Sequence, residues 1–378
     1  MLDLTKSSCT NGVTIGFDYN TWSVKTNYSN YTNPDNTRVK CSLYFKKRTF
    51  AEAVIDCGAL SKDAGTCIKE NYHLTEEVVD DETIDHNLRF IGADPDNYVW
   101  FNNELWRIIG AMNNIDDGTG KKETRLKIIR DESIGEYSWD SDNANSGWGI
   151  NEWSQSDIMK LLNPGYESEN VGGSLYWNKT LGECFAGAAN NTISCDFSDT
   201  GLEDNFKTMF GQTLWNVGAN DGVIYLNNNV SVINFYTLER SNNTGKICNG
   251  GSLCNDNIQR TVTWKGFIAL PYASDYGYAT NGGTQLSRDE CLEIPIYNWG
   301  TQYDCHTNNW MMGDFAWIMT ISAVSDDSTS VYHTYFSNIG NVHAGAEYNV
   351  YPTIYLINNI LIIEGKGTLE SPFILSVK

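Results

Sequence analysis

Apolar runs along the chain are short, and most alternate with polar positions at a period of two, the signature of half-buried strands. Gly12 to Phe17, Thr21 to Tyr28 and Arg38 to Phe45 follow this pattern around the polar turn Thr32 to Asn36, and predict a small β-sandwich-like module over 1–48. Phe50 to Asp56 is helical in composition, and the acidic run Glu76 to Glu82 reads as a solvated face, so 49–83 is expected to be a helix-and-loop connector. A large domain is expected over 84–378. It opens with Leu88 to Ile91, then a hairpin, Tyr98 to Phe101 and Glu104 to Gly110 across Asn102 and Asn103, then a strand from Arg125 to Arg130.

Two stretches switch to helical spacing. In Ser154 to Leu162, Ser154 or Ser156 can cap the run, and Pro164 with Gly165 stops it. In Leu202 to Val217, residues Leu202, Phe206, Met209, Phe210, Leu214 and Val217 share one face, with Gly218 as terminator. The rest reads as short strands between long loops: 223–226, 267–271, 318–321, 331–336, 353–356, 361–363 and 373–377. Loops of that length are usually functional or cross-linked.

The cysteines supply the cross-links. There are ten, with no C-x-x-C, so zinc-finger and thioredoxin-like readings have no support. Pairing nearest neighbours gives Cys9–Cys41, Cys57–Cys67, Cys184–Cys195, Cys248–Cys254 and Cys291–Cys305, although spacing alone does not fix connectivity. Disulfides imply an oxidising, extracellular compartment. The first residues, Met-Leu-Asp-Leu-Thr-Lys, do not form a secretion signal, so any signal or anchor is expected to lie outside this chain.

Charge removes further classes. Lys and Arg total 26 against 47 Asp and Glu, a formal charge of −21 over 378 residues, which disfavours nucleic acid and anionic membrane surfaces. No apolar run reaches the roughly 18 residues needed to span a bilayer. Among the five histidines, His73, His86, His306, His333 and His343, no metal-binding spacing is visible, and no nucleotide-binding or hydrolase motif appears. Asp140, Asp142 and Asn145 lie in a stretch with oxygen ligands at alternating positions before Gly147, which makes calcium the one cofactor considered; the terminal Glu of a calcium loop is missing.

What remains is a surface rich in aromatic and amide groups, with 12 Trp and 21 Tyr. Tyr among Ser, Gly and Asn is the composition of adaptable recognition surfaces. Trp310, Asp326, Asp327, His333, Tyr335, Asn338, His343 and Glu347 form the candidate ligand set. Alternation over Val331 to Phe336 separates Tyr332, Thr334 and Phe336 from His333 and Tyr335, and the latter two are expected to point outward.

Several segments together resemble a known group: NYVWFNNELWRIIG over 97–110, RLKIIRDESIG over 125–135, WSQS from Trp153, WKGFIALPYASDYGYAT over 264–280, WIMTIS over 317–322, YPTIYL over 351–356, GKGT over 365–368 and PFIL over 372–375. They are similar to secreted, Gram-positive-type bacterial surface proteins with a C-type-lectin-like domain, a fold shared with formylglycine-generating-enzyme-like domains. SCTNG from Ser8 and KCSLYF from Lys40 resemble the small β-module that precedes it. One departure is plain: members commonly carry Gly-Val-Arg-Pro before the last core strand, where this chain has Asn349, Val350, Tyr351 and Pro352.

The resemblance implies an α+β fold with short strands, two main helices and disulfide-stapled loops. Copper-dependent oxidation of the formylglycine type would need paired reactive cysteines, which Cys291 and Cys305 use up if they are bonded. The expected function is a non-catalytic, adhesin-like binding protein for an extracellular glycan or protein. The alternatives are a self-associating subunit of a pilus or other filament, and an enzyme acting on polysaccharide.

Overall fold

The structure, a computed structural model, describes residues 6–18, 23–32, 38–44, 78–141, 148–218, 230–241, 247–248, 252–253, 260–311, 313, 315–321, 330–335 and 337–377. The first strands form two antiparallel pairs. β1 (Ser8–Cys9) pairs with β4 (Cys41–Ser42), and β2 (Thr14–Asp18) with β3 (Ser23–Asn27). Cys9 lies opposite Cys41 in the register and is bonded to it. Val13, between β1 and β2 in sequence, is buried. The cystine constrains these strands by closing the chain between β1 and β4.

A nine-stranded sheet organises the rest. Its long central strand, β8 (Glu104–Asp116), pairs along one side with β9 (Lys122–Arg130). The other side is shared: β7 (Tyr98–Phe101) takes the first half, and β6 (Leu88–Phe90), with β5 (Val78–Asp80) outside it, takes the second. The β7–β8 hairpin turns through Asn102 and Asn103, both at positive φ (57° and 62°), as a two-residue type I′ connection requires. Gly110 marks the crossing onto β6, since a Cβ there would stand 2.1 Å from the Leu88 carbonyl oxygen. The sheet thus takes in Val78–Asp80, and Asp81 is fully buried. The stretch read as a solvated acidic face is partly interior, because Asp81 is the counter-ion of a buried arginine.

Further along, β10 (Glu136–Ser138) leads to helix α1 (Asp157–Leu162), capped by Ser156 Oγ accepting from the Met159 amide at 3.3 Å. A cross-linked hairpin follows, β11 (Leu181–Phe185) with β12 (Thr192–Asp196), bonded through Cys184–Cys195. The helix expected over Leu202 to Val217 does not form. The segment makes a 3-10 turn at Phe206–Met209 and then β13 (Thr213–Asn216). Gly211 weakens a helix at its middle, and Thr213 and Trp215 alternate into the core with Trp215 on Tyr355, so the period of two prevails.

After helix α2 (Val232–Glu239) come the short strands β14 (Ile247–Cys248) and β15 (Ser252–Leu253), then β16 (Thr263–Gly266), which pairs with β13, and β17 (Ile268–Ala269) at the sheet edge. Helices α3 (Ala273–Tyr278), α4 (Arg288–Glu293) and α5 (Tyr303–Thr307) surround the Cys291–Cys305 bond. Two main helices were expected; the described residues hold five short ones. A three-stranded sheet, β18 (Trp317–Ile321), β19 (Ser330–Tyr335) and β20 (Asn338–His343), precedes β21 (Glu347–Asn349), which pairs with β10. The chain returns to the main sheet through β22 (Thr353–Tyr355), which joins β9 to β17. The hairpin of β23 (Ile360–Glu364) and β24 (Phe373–Val377) then closes the other side, β24 lying parallel to β7.

The architecture is mostly sheet with a few short helices, an α+β arrangement with three disulfides among the described residues. Cys57, Cys67 and Cys254 lie outside the described residues, as do Phe50 to Asp56 and Val223 to Leu226. No described helix is long and apolar enough to cross a membrane.

Candidate functional site

A cleft of about 200 Å³ opens where the ends of β8 and β9 meet α3 and the loop after α5. Arg107, Asp131, Tyr276, Trp310, Met311 and Tyr351 form much of its wall. Arg107 is cross-strand from Tyr98, and its guanidinium lies 3.7 Å over the Tyr98 ring and 4.8 Å over the Trp310 ring. Its Nε donates to Asn97 Oδ1 at 2.5 Å, and its Nη2 to Asp94 Oδ1 at 3.2 Å and the Pro95 carbonyl at 3.3 Å. The Tyr98 hydroxyl donates to the same Asp94 oxygen at 2.9 Å, and burial pushes it up to about 12. Trp310 is pinned by its indole N–H donating to the Phe90 carbonyl at 3.0 Å.

Two side chains at this wall contrast sharply. Arg130 is spent: Nε and Nη2 grip both oxygens of Glu104 at 2.9 and 2.6 Å, and Nη1 donates to the carbonyls of Glu132 and Ser133. Asp131 accepts no hydrogen bond from the described residues; Arg107 Nη1 pairs with it electrostatically at 3.8 Å, too long for a hydrogen bond. Its side chain is 29% exposed, and desolvation raises its carboxyl above the usual range, with Arg107 pulling the other way. The cleft therefore presents an acceptor and a donor, Asp131 and Arg107 Nη1, neither hydrogen-bonded to a described residue.

Beneath it lies a fully buried charge network. Asp275 accepts from Arg89 Nη1 at 2.7 Å and Lys127 Nζ at 2.5 Å, and Arg89 also donates to Asp81 at 2.9 Å. Lys127 stands 4.0 Å over the Tyr272 ring. Although burial works against it, Lys127 and Arg89 hold Asp275 at about 2, ionised. Burial lowers Lys127 to about 8 while Asp275 pulls it up, so it stays protonated at neutral pH. Asp275 also accepts from the Tyr272 amide at the N-terminus of α3. The network thus seats α3, and with it Tyr276, against the main sheet.

The residues expected to bind ligand do not form one site. Trp310 lines the cleft. Tyr335 and Asn338 sit opposite each other where β19 turns into β20, and Tyr335 is exposed at 47%. His333 is not outward: it is 6% exposed, packs its ring 4.4 Å from that of Tyr348, and donates from Nδ1 to the Thr334 carbonyl. Alternation alone cannot reveal that β21 covers the second face of β19. Burial lowers His333 below its ordinary value, keeping it neutral. His343, at the far end of the β19–β20 hairpin, packs edge-on against Trp148 at 4.1 Å. Glu347 is exposed on β21 opposite Ser138. Asp326 and Asp327 lie outside the described residues, as do Asp142 and Asn145 of the calcium candidate. Asp140 is buried and accepts from the Ile150 amide at 2.7 Å, a turn-closing bond, and no group of three or more metal-binding side chains occurs among the described residues.

No protein-family model matches the chain, and comparison with curated proteins and with solved structures gives no match. Sequence reasoning missed Arg107 and Asp131. The signal was available: Arg89 and Arg107 are cations inside short apolar runs, Leu88 to Ile91 and Leu105 to Ile109, and a charge placed there must be paired or put to use.

Proposed function

We propose that the protein is an extracellular, non-catalytic binding protein, adhesin-like, that holds a glycan or protein partner on a C-type-lectin-like domain. The reading rests on the cleft: an aromatic-walled recess whose donor and acceptor take no hydrogen bond from each other is suited to bind. Asp131 is the one carboxylate among its described lining residues, whereas glycoside hydrolysis ordinarily uses two. The three cystines are compatible with an oxidising compartment. The resemblance of several segments to surface proteins, together with the mixed sheet and short helices, supports the domain type.

The test is binding of the full chain to an array of glycans and extracellular proteins. Saturable binding is expected, weakened by Trp310→Ala and unchanged by Tyr335→Ala. A chain that binds nothing and instead sediments as polymers would replace this reading with the filament subunit.

A further inference from the structure

We infer that the cleft takes one neutral, hydroxyl-bearing sugar ring, held by a hydroxyl that bridges Arg107 and Asp131. The inference rests on the binding reading above and goes further by naming the ligand class. Arg107 Nη1 and Asp131 Oδ1 are 3.8 Å apart, so one oxygen can lie within about 2.8 Å of both. A group at that point must accept from the guanidinium and donate to the carboxylate. A hydroxyl does both.

Charged groups fail by arithmetic. At a given distance a unit charge is attracted by an opposite charge as strongly as it is repelled by a like one. A ligand carboxylate would gain that energy from Arg107 and lose it to Asp131; an ammonium would do the reverse. Either nets close to nothing and still sheds its water. A neutral hydroxyl sheds less solvation than an ion and gains two hydrogen bonds to charged partners, which are stronger than neutral ones.

Size narrows the class further. The cleft, at about 200 Å³, is smaller than the roughly 300–1,000 Å³ pockets that enclose drug-sized ligands. It accommodates a single ring, with a neighbouring hydroxyl reaching the second Asp131 oxygen. Trp310, Met311 and Tyr351 supply apolar surface for the carbon face of the ring.

The experiment uses the full chain on glycans ending in neutral hexoses, in uronic or sialic acids, or in amino sugars with a free amine, beside an array of extracellular proteins. Titration calorimetry with the methyl glycoside of the best neutral sugar follows. Neutral termini should bind, about tenfold more weakly in Asp131→Asn and not at all in Asp131→Ala, while both variants melt no lower than wild type. Because Asp131 accepts no hydrogen bond from the described residues, these variants should fold where an Arg107 variant risks not folding. Neutral-sugar binding that survives Asp131→Ala overturns the inference. So does binding confined to acidic sugars, cationic sugars or proteins, although the protein would then still be a binding protein. No binding to any probe overturns both readings.

Discussion

Replacing Asp275 with Asn removes a charge and almost no volume, so its cost isolates the electrostatics of the buried network. Among the described residues Arg89 has two carboxylate partners, Asp81 and Asp275, whereas Lys127 has Asp275 alone. The variant leaves Arg89 half-paired and Lys127 fully buried with no counter-ion. Breaking a buried pair by removing one partner typically costs about 3–5 kcal/mol. Linkage gives a consistent lower figure: holding Asp275 at about 2 against an ordinary 3.8 corresponds to about 2 kcal/mol of stability at neutral pH. A melting temperature lower by about 6 °C or more is therefore expected.

The sign of the pH dependence sharpens the test. A lysine with a depressed folded pKa loses stability as pH falls from its unfolded value through the folded one. In the wild type that loss ends near the Lys127 value of about 8. With Asp275 neutral, the folded pKa of Lys127 drops further and the loss continues below pH 8. The deficit of the variant should therefore widen between pH 9 and pH 6, and narrow again below pH 4, where the wild type begins to forfeit the Asp275 contribution. Thermal unfolding followed by near-UV circular dichroism at pH 9, 8, 7 and 6 measures this. A deficit under about 1 kcal/mol at pH 7, or one unchanged from pH 9 to pH 6, refutes the reasoning.

Three further outcomes are expected. Asp131→Asn removes a carboxyl whose raised folded pKa makes its ionisation a burden on the fold; that penalty is absent below the unfolded pKa and grows as pH rises through the folded one, so the variant should outlast wild type at pH 7 and match it at pH 3 in urea titrations. His333→Ala should cost about 2 kcal/mol or more, because the ring is packed between strands, whereas Tyr335→Ala should cost less than about 1 kcal/mol; equal losses in thermal melts would contradict the burial assigned to His333. Replacing Cys184 and Cys195 by Ala opens an 11-residue separation and should cost about 2–3 kcal/mol, localised by hydrogen exchange to β11 and β12.

Local chemistry was legible and long-range chemistry was not. Asn102 and Asn103 announced their hairpin because only a few residue types tolerate two successive positive φ angles. Ser156 announced α1 in the same way, and the three described disulfides join nearest neighbours. Ser287 and Glu290 form a capping box that marks α4, a signal present in the sequence and overlooked. Leu202 to Val217 misled because its apolar spacing satisfies a helical period until Gly211, after which packing of Trp215 decides. The charge network could not be read at all. Asp275 meets Arg89 across 186 positions and Lys127 across 148, and only the closed sheet brings them together.

That network and the cleft are one construction. Asp275 seats α3 on the sheet, and the next residue, Tyr276, lines the cleft; Asn97, Asp94 and two aromatic rings hold Arg107 before any ligand arrives. Ordering a long side chain at an interface costs about 0.5–1.5 kcal/mol, and here folding has already met that cost for Arg107. The ligand would find a fixed donor beside an acceptor that takes no hydrogen bond from the described residues. It follows that two substitutions should separate stability from affinity. Asp131→Ala should abolish sugar binding with no loss of melting temperature, because the carboxylate serves the ligand and not the fold. Asp275→Asn should lower both, although Asp275 does not line the cleft, because α3 can no longer present Tyr276 in register with Trp310. If Asp275→Asn melted lower yet bound with unchanged affinity, the wall of the cleft would owe nothing to the charges beneath it.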